Sequence, residues 1–158
     1  MSLREYNRKR KFSKTPEPKK NKIEIKKKKA ELNKKKLIFV VHQHFASHLH
    51  WDLRLEMDGV LKSWAVPKEP PRKKNVKRLA IQVEDHPLEY AKFEGIIPEG
   101  NYGAGKVKIW DTGKYELKNK SANKIEFNLR GKKLNGMYIL IKTSYGNKPG
   151  KSWLWFKI

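Results

Sequence analysis

From Leu37 onward the chain consists of short apolar runs rich in Val, Ile, Trp and Phe, and Gly, Pro, Asn or Asp interrupts them every few residues. Short runs bounded by turn residues are typical of β-strands, and many of them in succession favour a sandwich or a barrel. We therefore predict an all-β fold, either a sandwich or a barrel. The predicted strands are 38–41, 50–57, 60–66, 79–83, 107–110, 114–117, 124–130, 137–143 and 152–158.

One turn can be predicted in detail. Asp58 and Gly59 separate two of these strands, and an Asp-Gly pair is a strong hairpin signal because a type I′ turn needs positive φ at both central positions. The sequence therefore predicts an antiparallel hairpin between 50–57 and 60–66.

The N-terminal quarter of the chain has a different composition. Up to Leu37 it holds 16 Lys and Arg against four Glu, a net charge of +12 out of the total of +22. Segment 15–18 favours extended backbone, whereas the lysine-rich segment 23–36 is compatible with one helix. We predict a basic arm over 1–36, followed by an all-β domain over 37–158.

The charge of the whole chain indicates its kind of partner. Thirty-eight basic residues stand against 16 acidic ones among 158, a net +22. This excess favours nucleic acid, because binding its phosphates releases condensed counterions. A lysine-rich solvated surface, as in ribosome-associated or heat-adapted proteins, is the alternative.

The composition also limits the possible sites. The chain has no cysteine, so disulfides and thiolate metal sites are excluded, and any metal is left to His and carboxylate ligands, which suit Mn, Zn, Fe or Ni. No apolar run reaches the length of a signal peptide or a membrane span. We expect one domain with one active centre, in a cytoplasmic monomer that does not contact membranes.

The segment HFASHLHWDLRLEM, over 44–57, carries the candidate chemistry. Alternate side chains of a strand share a face, so His50, Asp52 and Arg54 lie together while the apolar residues between them fill the core. An imidazole and a carboxylate two residues apart can hold one divalent ion, with His44 as a third ligand. Arg54 is then placed to bind a phosphate that the metal polarises. The polar set would line a groove or the barrel mouth.

The density of histidines supports this interpretation. Four of the five, at positions 42, 44, 48 and 50, fall in this segment, whereas a solvated face of this protein would use lysine. A merely polar outer face remains the alternative. The fifth, His86, follows a predicted strand in the segment EDHPLEY, where loop residues often contribute to sites; a capping or turn role is its alternative.

Three further features have weaker functional interpretations. At strand spacing the five tryptophans are typical of a core rather than of base-stacking platforms. The segment PEGNYGAG, 98–105, lacks the Lys-Ser/Thr ending of a P-loop and any following helical pattern, which favours a tight structural loop near the site. A second basic run is either a solvated loop or a contact with a phosphate backbone; it comprises Lys68, Arg72, Lys73, Lys74, Lys77 and Arg78.

Long stretches of the chain resemble a known family. FVVHQHFASHLHWDLRLEMDGVLKSWAVP, over 39–67, and RLAIQVEDHPLEYAKFEGIIPEGNYGAGKVKIWDTG, over 78–113, are similar to the 3′-phosphoesterase domain of bacterial ligase D, which also occurs as stand-alone proteins. The similarity extends to RKRKFSKTPEP near the start and to the Trp-rich closing strand.

The resemblance implies a small, compact β-barrel over 37–158 with short flanking helices, and a basic N-terminal arm over 1–36 that contributes to the site. The barrel mouth would hold a manganese ion, with Zn²⁺ or Co²⁺ as other possible ions. It implies action on DNA or DNA/RNA primer-template 3′ ends in strand-break repair, beside a separate ligase and polymerase. Such a domain removes a 3′-terminal ribonucleoside, leaving a phosphate, and then removes that phosphate.

The resemblance also implies roles for individual residues. The metal ligands are His44, His50 and Asp52, and the scissile phosphate is surrounded by Arg54, His86 and Tyr90. Lys68 and Arg78 match further phosphate contacts, and Arg10 and Glu17 match residues that assist the first step. His86 is the candidate general acid or phosphate donor, and Tyr90 orients an oxygen through its hydroxyl.

The chain departs from the family pattern at three positions. His42 stands where Gln is frequent, Lys11 where an acidic residue is common, and Asn101 where Glu is usual. None belongs to the expected metal set, but Lys11 adds positive charge to the arm that supports the diesterase step. The sequence therefore leaves the balance between diesterase and monoesterase activities open.

Two other function classes remain as alternatives. The His-x-Asp pair with a distant histidine is also the ligand pattern of non-haem iron oxygenases, although the charge of +22 and Arg54 oppose that interpretation. A nucleic-acid-binding β-barrel without catalysis is the second alternative.

Overall fold

The computed structural model describes residues 3–10, 37–146 and 148–158. Its elements are helix α1 (Leu3–Lys9), a 3₁₀ helix (Leu88–Lys92) and nine strands. The strands are β1 (Leu37–Phe45), β2 (Leu49–Met57), β3 (Val60–Val66), β4 (Lys77–His86), β5 (Gly95–Ile97), β6 (Gly105–Lys120), β7 (Lys124–Arg130), β8 (Asn135–Lys142) and β9 (Ser152–Lys157).

Eight of these strands close into an antiparallel barrel. They pair in the order β1-β2-β3-β4-β9-β8-β7-β6, and β6 pairs back with β1. The short strand β5 adds to the outer edge of the first part of β6. The predicted all-β barrel with short flanking helices is confirmed.

The interior of the barrel is one apolar core. Each of its eight strands contributes alternate side chains to it, as a sheet that is buried on one face requires. The largest fully buried side chains of this core are Trp64, Trp155, Tyr115, Tyr138, Phe39 and Phe127. The prediction that the tryptophans are core residues is confirmed for four of them, and Trp110 packs partly buried against the same cluster.

A second apolar cluster lies on the outside of the barrel wall. There α1, the 3₁₀ helix and β5 pack over the outward-facing side chains of β1 and β3. Its buried members are Tyr6, Val40, Leu61, Tyr90, Ala91, Phe93, Ile97 and Val107. The outer face of β1 and β2 is therefore shielded by a second layer, so polar groups on it can be buried without entering the barrel.

The hairpin predicted at Asp58-Gly59 is confirmed. Met57 pairs with Val60, and both turn residues have positive φ, 54° at Asp58 and 81° at Gly59. These are the signs that a type I′ turn requires.

Other predicted boundaries were wrong. The predicted strands 107–110 and 114–117 form the single strand β6, because the Asp111 carboxylate, instead of making a turn, accepts hydrogen bonds from the backbone N–H groups of Lys132, Lys133 and Leu134. Strand β4 reaches His86, which was expected in a loop. Helix α1 and the three-residue β5 were not predicted.

Most of the predicted arm, 1–36, lies outside the described residues, including the helix predicted over 23–36. Among the described residues, no helix is long and apolar enough to cross a membrane.

Candidate metal centre and active site

Three potential metal ligands converge on the outer face of β1 and β2. His44 lies directly opposite His50 in the strand pairing, and Asp52 follows two residues later on the same face. One ligand atom from each lies within 4.8 Å of the others. The resemblance implied a site at the barrel mouth, whereas these ligands lie on the outer face of the wall, because the apolar residues between them on β2 face the core.

The tautomers of both imidazoles are fixed by backbone carbonyls. His44 donates from Nε2 to the Gly103 oxygen at 2.7 Å, and His50 donates from Nδ1 to the His48 oxygen at 3.1 Å. A carbonyl accepts only, so each ring must be protonated on that nitrogen. The other nitrogens, Nδ1 of His44 and Nε2 of His50, lie 3.6 and 3.4 Å from the oxygens of Asp52.

This donor set fits a divalent transition metal. Two imidazole nitrogens oriented by outer hydrogen bonds and one carboxylate form a three-ligand set that leaves positions for water and substrate. Burial alone would raise the pKa of Asp52, but the Arg54 guanidinium, followed by His44 and His50, holds it well below its usual range. The carboxylate is therefore ionised at neutral pH, as metal binding requires.

Arg54 lies beside the ligand set, and three groups surround its guanidinium. Its Nη2 is 3.4 Å from Asp52 Oδ2, its Nη1 is 3.2 Å from His86 Nδ1, and its Nε donates to His42 Nδ1 at 3.1 Å. The guanidinium carbon also lies 4.9 Å from the centre of the Tyr90 ring. The cation is thus held next to the proposed metal position in a geometry that a flexible surface arginine lacks.

His42 was not predicted to belong to the site. It is fully buried and donates from Nε2 to the Phe93 backbone oxygen at 3.0 Å. Burial and the neighbouring Arg54 charge lower the pKa of His42 to about 3, so the ring is neutral and its Nδ1 accepts from Arg54. The only sequence signal for this role was its alternation with His44 on β1.

His86, predicted to contact phosphate, lies between two guanidiniums. Its Nδ1 lies 3.0 Å from the Glu84 backbone oxygen, and its Nε2 lies 3.1 Å from Arg10 Nη2. Burial first, and then the charges of Arg54 and Arg10, hold the pKa of His86 well below its usual value. The imidazole is therefore neutral at neutral pH.

Glu84 connects the end of α1 to the site, which sequence reasoning also missed. It accepts from Arg10 Nη1 at 3.0 Å and from Lys9 Nζ at 3.3 Å, and Tyr102 approaches it at 3.5 Å. Burial opposes ionisation, but Arg10 and Lys9 outweigh it and lower the pKa of Glu84. An ionised Glu84 therefore anchors Arg10 beside His86.

The segment 98–105 is a structural loop at the site, as predicted. It leads into β6 rather than into a helix, and its Gly103 carbonyl is the acceptor that orients His44. Gly103 has a φ of +75°, and an added Cβ would lie 3.4 Å from His44 Cε1. The positive φ favours glycine at this position, and a larger residue there would contact the candidate ligand His44.

A cavity of about 290 Å³ unites most of the predicted residues. Arg10, His44, His50, Asp52, Arg54, His86 and Tyr90 all line it, together with Glu84 and Tyr102. Two guanidiniums and three potential metal ligands around one cavity suit a tetrahedral oxyanion such as a phosphoryl group.

Two of the predicted residues that the structure describes, Arg78 and Lys68, do not line this cavity. Arg78 donates from Nε to the Glu69 oxygen at 2.7 Å and lines a separate cavity of about 510 Å³ with Arg72, Lys73 and Lys133. Lys68 is exposed and lines neither cavity. Glu17 lies outside the described residues.

The chain is similar to known proteins along almost its whole length. Residues 42–142 match the family model described as the DNA ligase D 3′-phosphoesterase domain. The multifunctional non-homologous end joining protein LigD of Pseudomonas aeruginosa is 49% identical over 161 residues, which cover 99% of this chain and 18% of that protein.

Mycobacterial proteins show similar identity. The multifunctional non-homologous end joining DNA repair protein LigD of Mycobacterium tuberculosis is 46% identical over 156 residues, 96% of this chain and 19% of that protein. The LigD of Mycolicibacterium smegmatis is 44% identical over 163 residues, 96% of this chain and 20% of that protein. The chain thus spans about a fifth of the length of the relatives it matches.

Proposed function

The chain belongs to the DNA ligase D 3′-phosphoesterase domain family, and on that premise we propose that it is a manganese-dependent enzyme that processes the 3′ ends of primer-template nucleic acid. It removes a 3′-terminal ribonucleoside and then the remaining 3′-phosphate, during DNA strand-break repair. The observation that carries the proposal is the His44–His50–Asp52 set beside the Arg54 guanidinium in one cavity.

His44, His50 and Asp52 would hold the ion. A divalent metal bound there supplies Lewis-acid polarisation of a phosphoryl oxygen and an activated water. The nitrogen and carboxylate donors suit Mn²⁺ and also Zn²⁺ or Co²⁺, and Mn²⁺ is proposed because the family resemblance implies it.

Arg54 and Arg10 neutralise the charge that develops on the phosphoryl oxygens. Their guanidiniums contact the two opposite nitrogens of His86, so a phosphoryl group that reaches both cations also meets this ring. Preorganised cations of this kind stabilise a phosphoryl-transfer transition state without reorganising during the step.

His86 is the proposed general acid, and the anionic substrate enables that role. Burial, together with the charges of Arg54 and Arg10, keeps the pKa of His86 low. A bound phosphoryl dianion offsets both charges, which allows the imidazole to take up a proton and deliver it to the leaving oxygen. Tyr90 packs its ring against His86 at 4.6 Å between centroids and is proposed to orient a substrate oxygen.

The N-terminal arm over 1–36 is proposed to support the diesterase step, ahead of the barrel domain over 37–158. Arg10 is the described part of this arm that reaches the cavity, and it is held there by Glu84. Glu17 is proposed to assist, whereas Lys68 and Arg78 are proposed to contact more distant phosphates. A separate ligase and polymerase are the proposed partners, in the cytoplasm.

A 5′-labelled primer-template ending in one 3′ ribonucleotide tests the proposal. With Mn²⁺ we expect stepwise shortening to a 3′-phosphate end and then to a 3′-hydroxyl end. EDTA and His50→Ala are expected to abolish both steps, because each removes the metal. His48→Ala is the matched control, since His48 is an exposed histidine that offers His50 only its backbone oxygen.

Two outcomes would contradict the proposal. Processing that persists in His50→Ala excludes the ligand assignment. Tight binding without any processing leaves a nucleic-acid-binding barrel, the alternative without catalysis.

A further inference from the structure

A row of exposed apolar side chains lies on the reverse face of the strands that carry the metal ligands. Leu49 pairs with Phe45, Phe45 pairs with Lys106, and Lys106 pairs with Ile96. Directly paired residues point to the same side of a sheet, so these four side chains form one row across β2, β1, β6 and β5. We call it the Phe45 row.

The row is unusually exposed for its composition. Phe45 is 41% exposed, Leu49 43% and Ile96 67%, and they are three of the six large apolar side chains that the described part of the chain leaves exposed. At the usual strand spacing four neighbouring positions span about 14 Å. Contiguous exposed apolar surface of this kind marks an interaction site more often than scattered residues do.

The row also carries positive charge. Lys106 stands between Phe45 and Ile96, and Lys108 follows two residues later on the same face of β6. Both lysines are exposed, and neither forms an ion pair with a described residue. Their charges are therefore available to an anionic partner.

The position of the row relates it to the site. Phe45 and Leu49 directly follow and precede the ligands His44 and His50 in the chain, so the row and the metal set occupy opposite faces at the same end of the β1–β2 hairpin. Only the turn over 46–48 separates the two faces at the tip. A strand that passes over this turn reaches the row immediately after leaving the site.

The composition of the row favours single-stranded nucleic acid over a protein. Protein interfaces are depleted of lysine at their centre, whereas Lys106 lies in the middle of this row. Aromatic side chains flanked by lysines are the usual platform for unpaired bases, because the ring stacks on a base while the cations contact phosphates. The net charge of +22 adds a favourable long-range attraction.

We propose that the Phe45 row binds the unpaired template strand that continues past a recessed 3′ end held in the catalytic cavity. The proposal rests on the proposed function for the identity of that end. Phe45 stacks on a template base, Leu49 and Ile96 contact neighbouring bases, and Lys106 and Lys108 bind the template phosphates. The row thereby selects recessed ends over blunt ends.

Binding is tested with two labelled duplexes in EDTA, so that no turnover occurs. One has a recessed 3′ end with a template overhang of about ten nucleotides, and the other is the same duplex with a blunt end. Wild-type protein is expected to bind the recessed duplex more tightly. Phe45→Ala is expected to weaken that binding by about tenfold, the loss typical of one base-stacking platform, and to leave blunt-end binding unchanged.

Charge reversal provides the second variant. Lys106→Glu is expected to weaken recessed-end binding and to reduce its dependence on salt, because one phosphate contact is lost. Tyr145→Ala is the matched control: Tyr145 is an aromatic residue 69% exposed on a loop outside the row, and its loss is expected to leave both duplexes unaffected. Thermal unfolding checks that each variant folds.

The proposal is overturned if the Phe45→Ala and Lys106→Glu proteins bind both duplexes as tightly as the wild type does. The row would then be a surface for a protein partner or for another segment of the chain. Equal weakening for both duplexes would overturn the selection of recessed ends. Because binding is measured without metal, these outcomes do not depend on whether the wild-type protein cleaves any 3′ end. Cleavage of a 3′ end tests the proposed function alone.

Discussion

Arg54 donates a hydrogen bond from Nε to Nδ1 of His42 at 3.1 Å, and His42 in turn donates from Nε2 to the Phe93 backbone at 3.0 Å. The imidazole thus links the cation of the site to the outer layer of the fold. Glutamine can offer the same acceptor and the same donor through its amide, whereas leucine offers neither.

We therefore expect His42→Gln to keep kcat within a few-fold of the wild type. His42→Leu leaves a buried guanidinium N–H without its acceptor, which costs about 1–3 kcal/mol, so kcat is expected to fall by roughly 10- to 100-fold. Steady-state kinetics on a 3′-phosphate end measure both. Equal losses in the two variants would show that ring packing, rather than hydrogen bonding, is what His42 supplies.

Arg54 and Arg78 were both predicted to contact phosphate, but only Arg54 lines the catalytic cavity. Arg54→Ala is expected to reduce kcat by about 10²- to 10³-fold, the effect of removing one preorganised charge-stabilising donor. The Arg54→Ala protein is expected to keep its affinity for the metal, since Arg54 is not one of the proposed metal ligands. Arg78→Ala is expected to raise KM and to lower its salt dependence with little change in kcat.

Titration calorimetry with Mn²⁺ and kinetics at two salt concentrations separate these effects. An Arg78→Ala protein that loses kcat as severely as Arg54→Ala would place Arg78 at the reacting phosphate, against the geometry.

The β-strands, the hairpin and the shared face of His50 and Asp52 were accessible from the sequence because each depends on a local pattern. Alternation along β2 is enough to put His50 and Asp52 on one face. Residues that reach the site only through tertiary contacts could not be predicted from the sequence. Glu84 anchors Arg10 across 74 positions of sequence, and no periodic pattern encodes such a pairing.

Tertiary contacts also explain which predictions about the fold were wrong. A break was predicted between 107–110 and 114–117, but the carboxylate of Asp111 instead caps a distant loop near Leu134 from within a continuous strand. The site lies on the outer wall because α1 and the 3₁₀ helix form a second layer there. Short helices were predicted, but their positions were not.

Glu84 makes the attachment of α1 depend on pH. Its pKa is lowered from the ordinary 4.5 in the folded protein, so its contribution to stability is fully present above about pH 4.5 and is lost as the pH falls through the lowered value. Glu84→Gln is expected to lower the free energy of unfolding at neutral pH by about 1–3 kcal/mol. The difference from the wild type is expected to stay constant from pH 5 to 8 and to shrink in acid.

Urea unfolding at a series of pH values measures this difference. Glu116→Gln is the control, because Glu116 pairs with Arg130 at the exposed surface, where ion pairs contribute little. A Glu84→Gln difference that grows in acid would contradict the sign derived from its pKa.

Gly103 and Gly100 offer a matched pair for testing how the loop over 98–105 supports the metal centre. Both have positive φ, +75° and +84°, so alanine at either position carries a similar backbone cost of about 1–2 kcal/mol. They differ in their surroundings: a Cβ at Gly103 would lie 3.4 Å from His44 Cε1, whereas nothing lies within 4 Å of one at Gly100. Moving Gly103 also moves the carbonyl that fixes the tautomer of His44.

Gly103→Ala is therefore expected to weaken metal binding by about 10-fold or more, the usual cost of disturbing a hydrogen bond that orients a ligand, while Gly100→Ala leaves it unchanged. Thermal unfolding of the metal-free proteins is expected to show similar losses of stability for the two variants, because the backbone cost is common to both. Calorimetric titration with Mn²⁺ then isolates the effect on His44. If both variants lose affinity equally, general loosening of the loop explains the loss, and the Gly103 carbonyl has no specific part in orienting the metal ligand.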